Sequence, residues 1–319
     1  MALPHPCRPS LTTLKRNKAL HLFSGPQRVG CVSDQLHKKG WGCIDVDKSV
    51  WGTELFGGND LFNDELWLEI TGLVARGEIQ GAHMGPPCST CSHARFNPPE
   101  YPRPVRSAAH PLGLPKAELW QSERLEVSNA NYLYFQCISL GSLCHAHSIP
   151  FAIEFPSKLD DDHVTLADFP TAIELLAKPG VRLINLHQCR FGSWAAKPTS
   201  LICWGDGWGT EGLLCNHVWE LTGRWGRDGN PIWAPPHSSA LTLKYENKTD
   251  GKWKTSSLAA YPASFCKFIA DAISEPNTKA VPITSPAGLG VLDQGPSASS
   301  SDSVMVPDPG SASPAAVSD

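Results

Sequence analysis

What the sequence lacks narrows its reading first. No window approaches the ~18 consecutive apolar residues of a membrane-crossing helix, so the 319-residue chain offers no candidate span. The opening stretch MALPHPCRPSLTTLKRNKA is basic but has no apolar core, so it does not read as a secretory signal. It fits an organelle leader or a disordered arm. A basic surplus is also missing: 27 Lys and Arg face 31 Asp and Glu. Residues 285–319 carry Asp293, Asp302, Asp308 and Asp319 and no Lys or Arg, so without them the acids fall from 31 to 27 and match the 27 bases. A neutral body excludes the broad positive footprint of a general polyanion binder and leaves only local patches. An even cysteine framework is absent too. The eleven cysteines are odd in number and many sit in apolar runs, which suits reduced thiols in an intracellular protein, nuclear or cytoplasmic, better than disulfides.

The pattern that is present alternates. KALHLFSG, WGCIDVD, IQGAHMGPP, PFAIEFP and VRLINLHQC read as strands; VGCVSDQLHKKG, NDELWLEITGLVARGE, the run from Lys116 to Ser148, and TAIELLAKPG read as helices. Asn63 is placed to cap the second helix. Strand and helix in turn predict an α/β fold with a parallel sheet and helices on both faces. Four regions follow: a disordered arm at 1–18, the α/β domain at 19–200, a small Trp-rich β-containing subdomain with a terminal helix at 201–275, and a disordered tail at 285–319 rich in Ser, Pro, Ala and Gly.

In parallel sheets ligands bind beyond the carboxyl ends of the strands, so the loops there carry the candidates. The first, FSGPQRVG, places small residues where a ligand can approach the backbone, although it lacks the G-x-G-x-x-G dinucleotide fingerprint. The second strand ends in Asp45 and Asp47, acids suited to ribose hydroxyls or to solvated strand capping. Asp60 in GGNDLF suits either a ligand contact or a turn. The third loop, HMGPPCSTCSH, fixes its backbone with Pro86-Pro87 and then presents Cys88. Its C-x-x-C spacing admits a zinc half-site, a redox pair, two buried structural cysteines, or a nucleophile whose thiolate needs nearby donors such as His83, His93 or Arg95. No regular second C-x-x-C accompanies it, and no metal centre is expected; Cys203, Cys215 and His217 form a three-ligand cluster at best. Glu154, in AIEFPSK, is either a strand-end acid paired with Lys158 or a carboxyl group facing Cys88.

Taken in order, LHLFSG, an acid-ended second strand, GPPCS and IE-P resemble the S-adenosylmethionine-dependent methyltransferase superfamily with its Rossmann-like sheet. The nearest branch is the DNA cytosine-5 methyltransferases, with their F-x-G loop, Pro-Cys loop and Glu-Asn-Val step. GPPCST-S-AR, FG---KPT and AAYP are similar to methyltransferase-like proteins of protist mobile elements. The resemblance spans about residues 19–200. It implies that Phe23, Ser24 and Gly25 line the methionine moiety, Asp45 or Asp47 holds the ribose, Asp60 the adenine, and Pro86 shapes the cofactor loop. It implies that Cys88 attacks cytosine carbon 6, Glu154 stabilises nitrogen 3, and Gln188 and Arg190 contact phosphate and ring. Ser89, Phe155 and Gly192 stand where the family has Gln, Asn and a second Arg. The implied activity is methyl transfer from S-adenosylmethionine to DNA, ahead of RNA. The alternatives are an accessory nucleic-acid-binding protein of a mobile element that has lost its chemistry, and a methyltransferase for RNA or an exocyclic amine.

Two further stretches bear on a nucleic-acid partner. Residues 94–115 are Pro-rich and carry Arg95, Arg103 and Arg106, a loop that either closes over a flipped nucleotide or simply connects elements. Residues 201–270 hold Trp204, Trp208, Trp219, Trp225, Trp233 and Trp253 with Lys244, Lys248, Lys252 and Lys254. Aromatics among basic residues can stack bases, or they can form the core of a small β subdomain with hairpin turns at Asp228-Gly229 and Asp250-Gly251.

Overall fold

The computed structural model describes residues 17–48, 59–92, 95, 103–158, 160–193, 197–216, 220–225, 231–234 and 260–275. In chain order the elements are β1 (Lys18–Leu22), α1 (Val32–Lys38), β2 (Gly42–Val46), α2 (Asp64–Ala75), β3 (Gly81–Met84), α3 (Gln121–Ala146), β4 (Phe151–Pro156), α4 (Pro170–Leu176), β5 (Arg182–His187), β6 (Pro198–Trp204), β7 (Glu220–Trp225), β8 (Pro231–Ala234) and α5 (Ala263–Ser274). Local chemistry sets several boundaries. The Asn63 side chain accepts the Glu65 N–H at 3.0 Å and caps α2. The expected long helix begins at Gln121 rather than Lys116, because Glu123 reaches back to accept the Trp120 N–H at 2.9 Å and fixes the first turn there.

The main sheet has the order β2-β1-β3-β4-β6-β5. β2, β1, β3 and β4 pair in parallel, and β6 runs antiparallel to both β4 and β5. Alternation along the strands divides the core into two layers. Leu20, Leu22, Met84, Phe151, Ile153 and Phe155 are buried with residues of α2, α3 and α4. Ala19, Ala152, Leu201 and Cys203 are buried with residues of α1 and α5. Each fully buried side chain of Leu or Phe size contributes roughly 1.5–3 kcal/mol relative to exposure, so the large residues favour the first layer strongly. The second layer is lined by small residues, which lets α5 approach closely.

One expectation changes here. The boundary at residue 200 falls inside β6, so the sheet continues to Trp204. The strand was hidden because TSLICW merges into the Trp-rich stretch, yet its five central residues are all buried. The terminal helix belongs to the same core: Phe265, Ile269 and Ile273 of α5 are fully covered on the α1 side of the sheet. β7 and β8 make a separate antiparallel pair with an irregular register between Leu221 and Arg224. The expected arm as far as residue 16, the tail at 285–319, both Asp-Gly turns, Trp219, Trp253 and the four lysines lie outside the described residues. Lys18, the last residue of the expected arm, already starts β1. Among the described residues, no helix is long and apolar enough to cross a membrane.

The closeness of α5 yields a stability prediction. A Cβ built on Gly207 would lie 2.5 Å from the Ala272 carbonyl oxygen and 2.8 Å from its Cα, backbone atoms that cannot rotate away. Gly209, two residues on, has nothing within 4 Å of such a carbon. Gly207→Ala is expected to lower unfolding free energy by about 1–3 kcal/mol through overpacking. Gly209→Ala should leave it nearly unchanged. Urea midpoints at constant m-value check both.

Candidate active site at the strand tips

The chain forms β1, adds β2 on one side and then crosses to add β3 on the other. Between β1 and β3 the connections diverge, and such a reversal opens a crevice at the carboxyl ends of the strands. Hydrogen bonds tie the tips together there. Phe23 N–H donates to Val46 O at 2.8 Å, Gly85 N–H to Leu22 O at 3.3 Å, and Gly25 N–H to Asp47 Oδ2 at 3.3 Å. Phe23 has φ 58°, a left-handed conformation that costs a bulky residue on the order of 1–3 kcal/mol and persists only where its surroundings enforce it. Gly25 follows at φ 63°, and a Cβ there would meet nothing within 4 Å. Ser24 Oγ donates back to Gly25 O at 3.3 Å. The loop is thus open at Gly25 and closed at its far end, where Arg28 donates to Tyr261 O at 2.6 Å and a Cβ on Gly30 would sit 2.8 Å from Ala263 Cβ.

The loop after β3 is held rigidly by α3. Tyr134 Oη–H donates to Pro87 O at 2.8 Å, Ser89 Oγ–H to Glu126 Oε1 at 2.9 Å, and Arg106 to Thr90 Oγ1 at 2.9 Å. Pro86 is buried, Cys88 is exposed, and Cys91 is 1 % exposed in the core beneath α3. The two cysteines of the C-x-x-C therefore diverge, one to the crevice and one to the interior. Among the described residues, neither belongs to a metal-ligating group of three.

Glu154 lies beside Cys88. Though the Cys88 surface is open, burial of its surroundings and then the Glu154 carboxylate push its thiol up to about 11, against a smaller pull from Lys197. Tyr261, just before α5, donates its hydroxyl to Glu154 Oε2 at 2.8 Å. Lys197 stands over the Tyr261 ring at 4.9 Å from its centroid. A Cβ on Gly85 would be 2.6 Å from Tyr261 Oη and 3.9 Å from Glu154 Oε2, so the glycine lets this group close against the strand tip. Lys158 pairs with Asp168 at 3.3 Å, which removes the expected Lys158 partner from Glu154.

Beneath the crevice, polar residues continue across the face covered by α1 and α5. Register places Asp45 opposite His21 and His21 opposite His83. His21 Nδ1 is 3.0 Å from Asp45 Oδ1, Ser33 Oγ donates to the same oxygen, and Gln27 donates to Oδ2 at 3.2 Å. Burial raises the Asp45 carboxyl, but the His21, Ser33 and Gln27 bonds outweigh it and hold the group below its ordinary range. Burial and then the His21 ring drive His83 well below the usual imidazole range. His83 is therefore neutral, and neither ring nitrogen has a hydrogen-bond partner among the described residues.

Several sequence candidates sit elsewhere than expected. Asp45 is 7 % exposed and occupied by His21, Ser33 and Gln27, so Asp47 alone of the pair stands at the tip. Asp60 is an exposed turn residue that accepts the Phe62 N–H at 3.1 Å ahead of α2. Arg190 does not face Cys88: its guanidinium donates to Gly212 O at 2.9 Å and Asn216 Oδ1 at 2.6 Å. Gln188 is buried and donates to Thr199 Oγ1 at 3.1 Å. The three arginines of the Pro-rich stretch are bound to α3. Arg95 makes two 2.5 Å contacts to Glu126, and Arg103 holds both oxygens of Glu123. Arg106 is 2 % exposed, bonds Asn131 at 2.8 Å and stacks over Phe169 at 5.1 Å. From its described part, this stretch is a fastened connector. Cys203 is buried in the α1-side core, apart from Cys215, while His93 and His217 lie outside the described residues.

No family model matches the chain, and neither a curated protein nor a solved structure matches it significantly. Tyr261 and Lys197 were not singled out from sequence as site residues. AAYP and KPT contain them, but only folding brings both, from two separate later stretches of the chain, to Glu154.

The electrostatics of Cys88 can be read directly. With a thiol near 11, its thiolate fraction rises about tenfold per pH unit below that value, and its alkylation by iodoacetamide should rise alike from pH 7 to 10. Glu154→Gln removes the raising carboxylate and is expected to speed alkylation several-fold at pH 8; Lys197→Ala should slow it. Peptide mass mapping of Cys88 provides the measurement, and identical rates in all three proteins would contradict the coupling.

Proposed function

We propose that this chain transfers a methyl group from S-adenosylmethionine to a nucleic acid, with DNA cytosine carbon 5 as the acceptor and Cys88 as the nucleophile. The observation that carries the reading is the meeting, at one switch-point crevice, of an open glycine loop with an acid beside it and a thiol with a carboxylate beside it. A Rossmann-like assignment agrees with the mixed α/β sheet.

The chain's residues fit the cofactor in kind. Gly25 leaves space at the β1 tip, its N–H is held by Asp47, and the half-buried Phe23 packs on the core at the start of the loop. Asp47 would take ribose hydroxyls and the Phe23–Gly25 backbone the methionine end. The bound cofactor would supply an electrophilic methyl group. On the acceptor side, Cys88 Sγ adds to carbon 6 of the ring as its proton passes to Glu154 and on to nitrogen 3. The electron pair displaced from the 5,6 double bond makes carbon 5 nucleophilic toward methyl. The carbon 5 proton then leaves to solvent as Sγ is expelled, and the nitrogen 3 proton returns through Glu154 to sulfur, which restores the ring and the thiol. Tyr261 orients Glu154 by holding Oε2, which leaves Oε1 for the ring. The raised Cys88 thiol requires this coupled transfer, because a free thiolate is scarce at neutral pH.

A second reading, cofactor binding with a different acceptor, draws on Arg190, whose guanidinium is engaged by Gly212 and Asn216 rather than aimed at a ring. Calorimetry with S-adenosylmethionine, followed by tritiated methyl transfer to DNA and to RNA, separates the two. Gly25→Ala and Asp47→Asn should each weaken cofactor binding by roughly tenfold or more. Cys88→Ser should bind the cofactor like the wild type and lose transfer to DNA. Transfer that survives in Cys88→Ser favours the second reading, and a wild-type chain that does not bind the cofactor ends both.

A further inference from the structure

Away from the crevice, three metal-ligating side chains converge beside the sheet edge. His187 ends β5, Cys189 follows in a short 3-10 turn at Gln188–Phe191, and Cys215 comes from the loop after β6. One ring nitrogen of His187 and the two sulfurs all lie within 4.8 Å of one another. The thiols of Cys189 and Cys215 are within hydrogen-bonding reach of each other.

The two segments that carry these groups are already fastened. His187 N–H donates to Leu213 O at 2.9 Å, and Cys215 N–H donates to His187 Nδ1 at 3.1 Å. Arg190 adds its bonds to Gly212 O and Asn216 Oδ1. Cys215 is thus bracketed on both sides by contacts to the segment bearing the other two groups. Ordering this loop would cost an incoming ion little.

We propose that His187, Cys189 and Cys215 bind a zinc ion. Two thiolates and an imidazole are the donor set that zinc prefers. Bond lengths of about 2.3 Å to sulfur and 2.0 Å to nitrogen place tetrahedral neighbours roughly 3.5–3.8 Å apart, so donors that all lie within 4.8 Å of one another have about 1 Å to close. On binding, two S–H protons leave, two Zn–S bonds form, and the two thiolate charges cancel the 2+ charge, which suits half-buried cysteines. His187 gives one ring-nitrogen lone pair. The fourth position is filled by water. The ion staples the loop that leads toward β7 onto β5, a structural role independent of methyl transfer. The other cluster of this size, His21, Cys43 and Asp45, is different: its carboxylate is committed to His21, Ser33 and Gln27.

The test uses the full chain, reduced and stripped with a chelator, titrated with cobalt(II) alone and then with zinc(II). One equivalent of cobalt should give the strong visible bands of a tetrahedral ion with a sulfur-to-cobalt charge-transfer band, and one equivalent of zinc should bleach both. Cys189→Ser and Cys215→Ser should each reduce the charge-transfer band and weaken zinc binding by about tenfold or more, and His187→Ala should weaken zinc similarly. Cys43→Ser should change nothing. Pale six-coordinate spectra, absence of a one-to-one endpoint, loss of the bands in Cys43→Ser, or recovery of Cys189 and Cys215 as a disulfide that excludes metal would each overturn the site. The wild-type titration stands by itself should a variant fail to fold.

Discussion

Everything at the candidate site depends on the in-register parallel pairing of β2, β1, β3 and β4. Because Leu22 pairs with both Val46 and Met84, the chain leaves those three strands at one level. Phe23, Asp47 and Gly85 follow as neighbours. A slip of one residue would turn His21, His83 and Glu154 to the opposite face, where α3 packs large apolar side chains on the strands. That penalty, several buried polar groups at about 1–3 kcal/mol each, fixes the register as firmly as the apolar core does. The site and the fold are therefore specified by the same alternation.

The face beneath α1 and α5 shows how the chain accommodates polar residues inside a sheet. Ala19, Gly81 and Ala152 keep it shallow, so α5 lies close and its preceding residue Tyr261 reaches Glu154. Asp45 is satisfied by His21 Nδ1, Ser33 and Gln27, while His21 Nε2 has no hydrogen-bond partner among the described residues. His83 remains neutral between the His21 ring, 5.1 Å away, and the Tyr261 ring, 6.0 Å away. A neutral ring there avoids a buried charge that nothing nearby would balance. Tyr261 thus both closes the core and positions a carboxylate, which makes the C-terminal helix part of the site.

Much of this was legible in the residues. The strands before FSG, IDVD, GPPC and IEF, the Asn63 cap and the docked terminal helix follow from periodicity and capping, which are local. What was illegible is non-local. β6 was obscured because its antiparallel insertion between β4 and β5 leaves no trace in local pattern. Asp45 and Asp47 look equivalent in sequence, yet Asp45 lies within β2 and points into the sheet face, while Asp47 follows its end. Arg95, Arg103 and Arg106 fitted a loop closing over a nucleotide as well as a connector, and Arg190 was implied by resemblance to contact phosphate and ring, because charge alone does not reveal that Glu126, Glu123, Asn131 and Asn216 await them. Tyr261 and Lys197 lie within AAYP and KPT, but those stretches do not say what the two side chains face, and they become site residues only through the packing of α5 and the start of β6.

The commitment of those arginines has a consequence for any polyanionic partner. Their guanidinium groups fasten loops, so these four side chains are already engaged by the protein itself. Recognition at the crevice would have to rest on shape and on Cys88, Glu154 and Tyr261. The two cysteine settings make the same point about context. At Cys88 burial and then a carboxylate neighbour disfavour the thiolate. At Cys189 and Cys215 a second sulfur and an imidazole replace the carboxylate, and two negative sulfurs become acceptable once a divalent ion lies between them. One residue type serves opposite chemistries because its neighbours decide which charge the site can bear.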